Sequence, residues 1–236
     1  MIDPINRLII FVLLIISLTL SLTRAGFAES KLDARYSISM AGITIGKSIW
    51  SVEVGDTQYS MTASARTSGV VRAIASGEAS GAAQGLLNPE AVIPTAFTAR
   101  LASEDENDAV RMTLSSGNVK DLIADPPQLS GGNRIPLVTT HRQGIIDPMS
   151  AGLMLAEKGA DLLTPRTCQQ TLPIFDGRRR YDVALSFKRM EKVKAEVGYE
   201  GAALVCAVSL HPIAGHRAGG SALEYLVKTK NMEIWL

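Results

Sequence analysis

The chain has 236 residues, of which 46% are hydrophobic and 5% are aromatic. Its 24 Lys and Arg residues almost balance 23 Asp and Glu residues, which argues against a nucleic-acid binder because such proteins need a basic surface. The scarcity of aromatic side chains also disfavours a stacking platform for bases or sugars.

The first 28 residues have the order of segments found in secretory signal peptides. Arg7 lies in a short polar head, residues 8–22 form an almost unbroken apolar run, and a small-residue end reaches Ala28. We therefore predict a signal peptide over residues 1–28, cleavage near Ala28 and no transmembrane anchor afterwards. The alternative is an uncleaved anchor, although a transmembrane helix needs about 20 apolar residues. Residues 29–236 contain 22 basic and 22 acidic residues, which weakens the case for electrostatic membrane docking.

Apolar residues alternate with polar ones along the first part of the mature chain, and Gly55-Asp56 is a hairpin turn signal. This period of two predicts antiparallel strands that are connected up and down and have one buried face. The alternating residues are Tyr36, Ile38, Met40, Ile43, Ile45, Trp50, Val52, Val54, Tyr59, Met61, Ala63 and Ala65.

Residues 66–85 are rich in Gly, Ala and Ser. We interpret them as strands with small side chains that another backbone approaches closely; a flexible linker, or a short helix beginning near Val70, are the alternatives. Strands are also predicted over residues 93–101 and 110–114. The acidic residues 104–108 between them predict a solvated hairpin tip, because the ligand spacing of a calcium loop is missing.

One helix is predicted over residues 147–158. Asp147 is a good N-cap, Pro148 suits the first helical position, and Gly159 is placed to end the helix. The segment is apolar on nearly every side up to Glu157, so it must be buried. The predicted fold class is therefore mainly β: a strongly curved antiparallel sheet, or incomplete barrel, that encloses this one apolar helix.

The C-terminal third returns to strand patterns, with Tyr181, Val183, Leu185 and Phe187 alternating cleanly. Nothing indicates two domains, so residues 29–236 are predicted to form a single β-rich domain. Residues 231–236 look like the start of another strand. Because unpaired edge strands aggregate, either this strand closes the sheet or the chain lacks its natural end.

Two cysteines, Cys168 and Cys206, are present. In an exported protein an even pair predicts a disulfide, with two free thiols as the alternative. The spacing does not fit a metal pair or a redox CxxC site. A bridge between them would stabilise the fold by about 4 kcal/mol in the chain-entropy model.

No nucleophile elbow, zinc-protease motif or phosphate loop is found, so we predict no catalytic residue, no cofactor and no enzyme. His211 and His216 could make a weak metal site with a carboxylate, but loop histidines are more often solvated, and no metal is predicted.

The arginine-rich stretch at residues 176–182 is the strongest candidate for binding. If the strand alternation that includes Tyr181 extends toward the N-terminus, Arg179 lies on the inward face, and Arg178 and Arg180 lie on the other face. An inward arginine needs a carboxylate or an anionic ligand. The simpler interpretation is an ion pair with Asp176, Asp182 or Asp147; the functional one places Arg179 and Tyr181 at the mouth of an apolar cavity, where Arg179 meets an anionic head group.

Four stretches of the chain carry a resemblance to a known family: RYSISMAGITIGKSIWSVEV (35–54), HRQGIIDPMSA (141–151), CQQTLPIFDGRRRYDV (168–183) and GYEGAALVCAVSLHPIAGHR (198–217). They resemble the family called domain of unknown function 3108, found in Gram-negative envelopes. The resemblance implies a periplasmic all-β protein, similar to the curved β architecture of envelope integrity protein B and lipoprotein-carrier proteins. Cys168 and Cys206 match cysteine positions of alphaproteobacterial members. Members of the family continue past MEIWL, which implies an incomplete sheet here, and the family has no established activity.

We therefore expect a non-enzymatic periplasmic protein that supports the cell envelope by binding an apolar ligand or lipid. The alternative is a scaffolding module that recruits another envelope protein and has no small-molecule ligand. A hydrolase or metal protein that uses His211, His216 and nearby carboxylates is the third possibility, and the missing motifs place it last.

Overall fold

The computed structural model describes residues 30–40, 43–69, 76–104, 107–127, 133–153, 163–195, 197–220, 224, 227–228 and 232–236. The predicted signal peptide over residues 1–28, the helix alternative near Val70 and part of the acidic tip therefore lie outside the described residues. Within these ranges, no helix is both long and apolar enough to cross a membrane.

The first seven strands form one antiparallel sheet in which the spatial order follows the chain order. This confirms the up-and-down connection predicted from the period-two pattern. The strands are β1 (Ser30–Met40), β2 (Ile43–Val54), β3 (Gln58–Thr67), β4 (Gly77–Leu87), β5 (Val92–Ser103), β6 (Asn107–Ser115) and β7 (Asn118–Asp125).

One face of this sheet, here called the core face, carries the main hydrophobic core. Cross-strand pairing places Met61 beside Ala83, Ala83 beside Phe97, and Phe97 beside Met112. Side chains of Ile145, Met149 and Phe175 complete the cluster from outside the sheet. Each large apolar side chain buried in this way stabilises the fold by about 1.5–3 kcal/mol, so the cluster is the main determinant of the sheet's stability.

A second antiparallel sheet contains four strands in the order β11-β10-β9-β8. The last strand, predicted from residues 231–236, is present and pairs with β10 through Ala207 and Glu233. A disulfide joins Cys168 to Cys206 on β10, with 5.5 Å between the Cα atoms, and confirms the predicted bridge. The strands are β8 (Gln170–Phe175), β9 (Arg180–Lys194), β10 (Glu200–Ala214) and β11 (Glu233–Trp235).

The predicted apolar helix over residues 147–158 is wrong, and with it the single curved sheet or incomplete barrel enclosing a helix. Asp147 does cap a turn, since its Oδ1 accepts hydrogen bonds from the backbone N–H groups of Met149 and Ser150, at 3.0 and 2.9 Å. The turn continues only as a 3-10 segment over Ser150–Gly152, and residues 154–162 lie outside the described part. The segment is buried because Met149 packs against the sheet. A single turn is enough to place Met149 there, so its burial does not require a helix.

The Gly-rich stretch forms β3 and β4 with residues 70–75 undescribed between them. Side chains fill the space that its glycines leave open. A Cβ on Gly81 would lie 2.9 Å from Met149 Sδ, and one on Gly85 would lie 2.7 Å from the Tyr59 hydroxyl oxygen. Because Gly81 and Gly85 of β4 have no side chain, Met149 and Tyr59 can pack directly against the backbone of this strand.

Candidate functional site

The first four residues of the predicted binding stretch at 176–182 form a tight turn between β8 and β9. Asp176 Oδ1 accepts hydrogen bonds from the backbone N–H groups of Arg178 and Arg179, at 2.8 and 2.6 Å. Gly177 adopts a φ of 90°, a conformation that side chains disfavour. Burial raises the pKa of Asp176, although the N–H groups of Arg178 and Arg179 oppose that rise.

This turn connects the two sheets. Arg178 donates through Nε to Asp108 Oδ1 on β6 at 2.8 Å and through Nη2 to the Pro126 carbonyl oxygen at 2.8 Å. A Cβ on Gly177 would overlap the Val110 side chain of β6. The turn therefore packs against β6, and Arg178 holds it there.

The predicted orientations of the three arginines are reversed. Arg179 is exposed, whereas the side chains of Arg178 and Arg180 are only 15% and 12% exposed and pair with Asp108 and Asp182. Alternation fails because β9 begins at Arg180, so Arg178 and Arg179 belong to the turn. Arg179 forms none of the ion pairs found among the described residues.

Tyr181 lies next to this turn and is partly buried. Burial and the nearby Asp176 carboxylate raise the pKa of Tyr181 to about 12 while Arg179 opposes the rise, so its hydroxyl remains protonated at neutral pH. Arg179 and Tyr181 thus share one electrostatic environment without a direct bond between them. Their ligand-binding role stays a prediction.

A buried polar cluster lies beneath the core face, which the sequence patterns did not reveal. The Tyr59 hydroxyl and Ser150 Oγ are 2.6 Å apart, and Asp147 is fully buried. Burial raises the pKa of Asp147, and also raises that of Tyr59 to about 12. The cluster combines two hydroxyls with a carboxyl but is shielded from solvent by the core, so the geometry favours a structural role in holding the 147–152 turn in place.

The two candidate metal-binding histidines differ in their surroundings. His211 is exposed on β10, while the Nδ1 atom of His216 is buried and has no hydrogen-bond partner among the described residues. No group of three metal-binding side chains occurs within the described ranges.

An uncovered extension of the core face is the best candidate for a ligand site. Met149, which packs over Gly81, is the last described side chain that covers the core face in this direction. The next rows of cross-strand neighbours are Ala65 beside Ala79, Ala79 beside Leu101, and Gly46 beside Thr67. These small side chains form a cavity of about 230 Å³, here called the small-residue trough. The residues that line it are Ile38, Ile45, Gly46, Ala65, Arg66, Thr67, Gly77, Glu78, Ala79 and Leu101.

Large apolar side chains stand at the margins of the trough. Ile38 packs over Gly46, 3.5 Å from the position that a Cβ would take there. Ile38, Leu101 and the neighbouring Tyr36 are 40%, 43% and 54% exposed. The apolar lining of the core therefore continues beyond its cover into a groove open to solvent.

The fold and the trough define an antiparallel, two-sheet β-protein with an internal disulfide and a partly uncovered core face. The family described as "Protein of unknown function (DUF3108)" matches residues 35–236. The chain belongs to this family, as its four resembling stretches predicted. Comparison with curated proteins and with solved structures found no match.

Proposed function

We propose that this protein is a non-enzymatic, exported protein of the cell envelope that binds the acyl chain of a lipid in the small-residue trough. The carrying observation is that the apolar core face extends past Met149 without cover from any described residue. Exposed apolar surface of this kind, bordered by polar residues, marks interaction sites. The signal-peptide pattern and the disulfide support export.

The size and lining of the trough favour a slender ligand. Its volume of about 230 Å³ is below the roughly 300–1,000 Å³ typical of small-molecule pockets. A single acyl chain suits a groove with a floor of Gly and Ala and walls of Ile38 and Leu101. Arg66 and Glu78 also border the trough, but the sheet register turns both side chains to the opposite face.

Two neighbouring residues of β4 provide a matched pair of variants. Ala79 lies on the core face in the row of Ala65 and Leu101, whereas Ser80 lies on the opposite face in the row of Ser64 and Arg100. Ala79→Leu fills the trough, and we expect it to weaken binding of a fluorescent long-chain fatty acid by about tenfold. Ser80→Leu adds the same apolar side chain outside the trough and should change the affinity by less than about twofold.

Native mass spectrometry of protein purified from the periplasm without reducing agent supplies the second measurement. We expect an adduct of lipid size on the wild type and a smaller adduct fraction on Ala79→Leu. Absence of both an adduct and fatty-acid binding would overturn the proposal and favour the scaffolding alternative. Equal weakening by both leucine variants would overturn the location of the site.

A further inference from the structure

The face of the seven-stranded sheet opposite the core carries a line of basic residues across the strands. In the sheet register, Lys47 lies beside Arg66, and Arg35 shares a row with Ile49, Ser64, Ser80 and Arg100. Arg111 lies one row further, beside Thr98. We call Arg35, Lys47, Arg66, Arg100 and Arg111 the basic band. At about 4.8 Å between strands, it extends roughly 24 Å from β1 to β6.

The band lies along two grooves that share Ser80 and Arg100. Their volumes are about 830 and 440 Å³. The floor consists of small and hydroxyl-bearing side chains, among them Ser64, Ala82 and Thr98. A recess of this kind accommodates an elongated chain, which a flat bilayer surface would not fill.

Charge along the grooves is strongly one-sided. The five cations of the basic band face only two carboxylates among the lining residues, Glu78 and Asp125. None of the five forms an ion pair with another described residue within 4.0 Å. The near-zero net charge of the chain thus conceals two grooves with locally positive potential, which attracts anions.

The geometry points to a linear acidic glycan as the ligand of the basic band. Arginine guanidinium groups pair well with carboxylate, sulfate or phosphate groups spaced along a polymer. Hydroxyl groups of Ser64, Ser80 and Thr98 can hydrogen-bond to sugar hydroxyls. Single-stranded nucleic acid is the weaker fit, because it is bound by stacking on several aromatic rings, and Tyr36 is the only aromatic residue among the described ones that line the grooves.

The test measures binding of an end-labelled uronic-acid oligosaccharide to residues 29–236 by fluorescence anisotropy. We expect saturable binding that weakens between about 50 and 500 mM salt. Arg66→Ser combined with Arg100→Ser should weaken binding at least tenfold. The matched control is Arg166→Ser combined with Lys192→Ser, which removes the same charge from exposed positions elsewhere and should change the affinity less than about twofold.

Three outcomes would overturn the inference: no binding, equal weakening by both double variants, or tighter binding to phosphatidylglycerol vesicles or to a single-stranded DNA oligonucleotide. The Ser80→Leu and Ala79→Leu pair separates this inference from acyl-chain binding. Ser80→Leu blocks the grooves and should weaken only glycan binding, whereas Ala79→Leu should weaken only fatty-acid binding. Either site can therefore fail independently of the other.

Discussion

At the scale of single residues, Asp147 shows how one buried carboxyl shapes a turn. Its Oδ1 atom accepts two backbone hydrogen bonds, while Oδ2 is buried without a hydrogen-bond partner among the described residues. Burial raises the pKa of Asp147 above its ordinary value of 3.8. The folded state therefore binds a proton more tightly than the unfolded chain does, and this contribution to stability decreases as pH rises from the ordinary value through the raised one.

Asp147→Asn should remove this pH dependence, because the amide oxygen can still accept both backbone hydrogen bonds but the side chain no longer ionises. We expect the urea midpoint of the wild type to rise relative to that of the variant as pH falls from about 7 to about 4. Asp56→Asn, in an exposed turn, is the control and should leave the difference flat. Parallel curves for wild type and Asp147→Asn would contradict the prediction.

At the scale of elements, the disulfide fastens a short turn to the second sheet. Cys168 ends the 3-10 turn Pro165–Cys168, and Cys206 lies in the middle of β10. Both are fully buried and pack with Leu185 and Leu204 in a second, smaller cluster. The bridge thus adds a covalent link to an apolar cluster that is smaller than the core of the first sheet.

Replacing both cysteines by serine should lower the free energy of unfolding by about 4 kcal/mol, because the sequence separation of 38 residues leaves a long loop open in the unfolded chain. Urea unfolding of the wild type and the double variant, both without reducing agent, measures this difference. Wild type in reducing agent should approach the stability of the variant. A difference below about 1 kcal/mol would show that the buried cluster alone holds the segment.

At the scale of the whole molecule, the sequence predicted strands well and tertiary connections poorly. Alternation alone revealed the up-and-down sheet, because one buried face imposes a period of two. The even number of cysteines likewise predicted the disulfide. The Asp147-Pro148 signal predicted the start of a helix, but only a turn forms there, since packing of Met149 against Gly81 depends on a partner distant in sequence. Likewise, no local pattern could assign Arg178 rather than Arg179 to Asp108, which lies 70 residues earlier.

The basic band and the small-residue trough were also beyond the reach of sequence patterns. Both surfaces consist of single residues from consecutive strands, and only the register of the sheet brings these residues together. Overall net charge even pointed away from an electrostatic surface. A two-faced sheet separates charge and apolar area by strand parity, so opposite faces can serve different ligands while composition stays average.

The connection between the two sheets yields a prediction about cooperativity. Phe175, at the end of β8, is fully buried in the core of the first sheet, and Arg178 reaches Asp108 and Pro126 beside it. These contacts should make both sheets unfold together. The fluorescence of the two tryptophans of the chain reports on the two sheets separately, since Trp50 lies in β2 of the first sheet and Trp235 in β11 of the second.

We expect Trp50→Phe and Trp235→Phe to give coincident urea transitions, each followed by the fluorescence of the remaining tryptophan. Adding Arg178→Met should separate the transitions and cost about 2–3 kcal/mol, because Asp108 loses its charged partner in a partly buried site. Lys194→Met removes an exposed ion pair with Glu200 and should have little effect. Separate transitions in the otherwise wild-type chain, or coincident ones after Arg178→Met, would show that the turn at residues 176–179 does not couple the sheets.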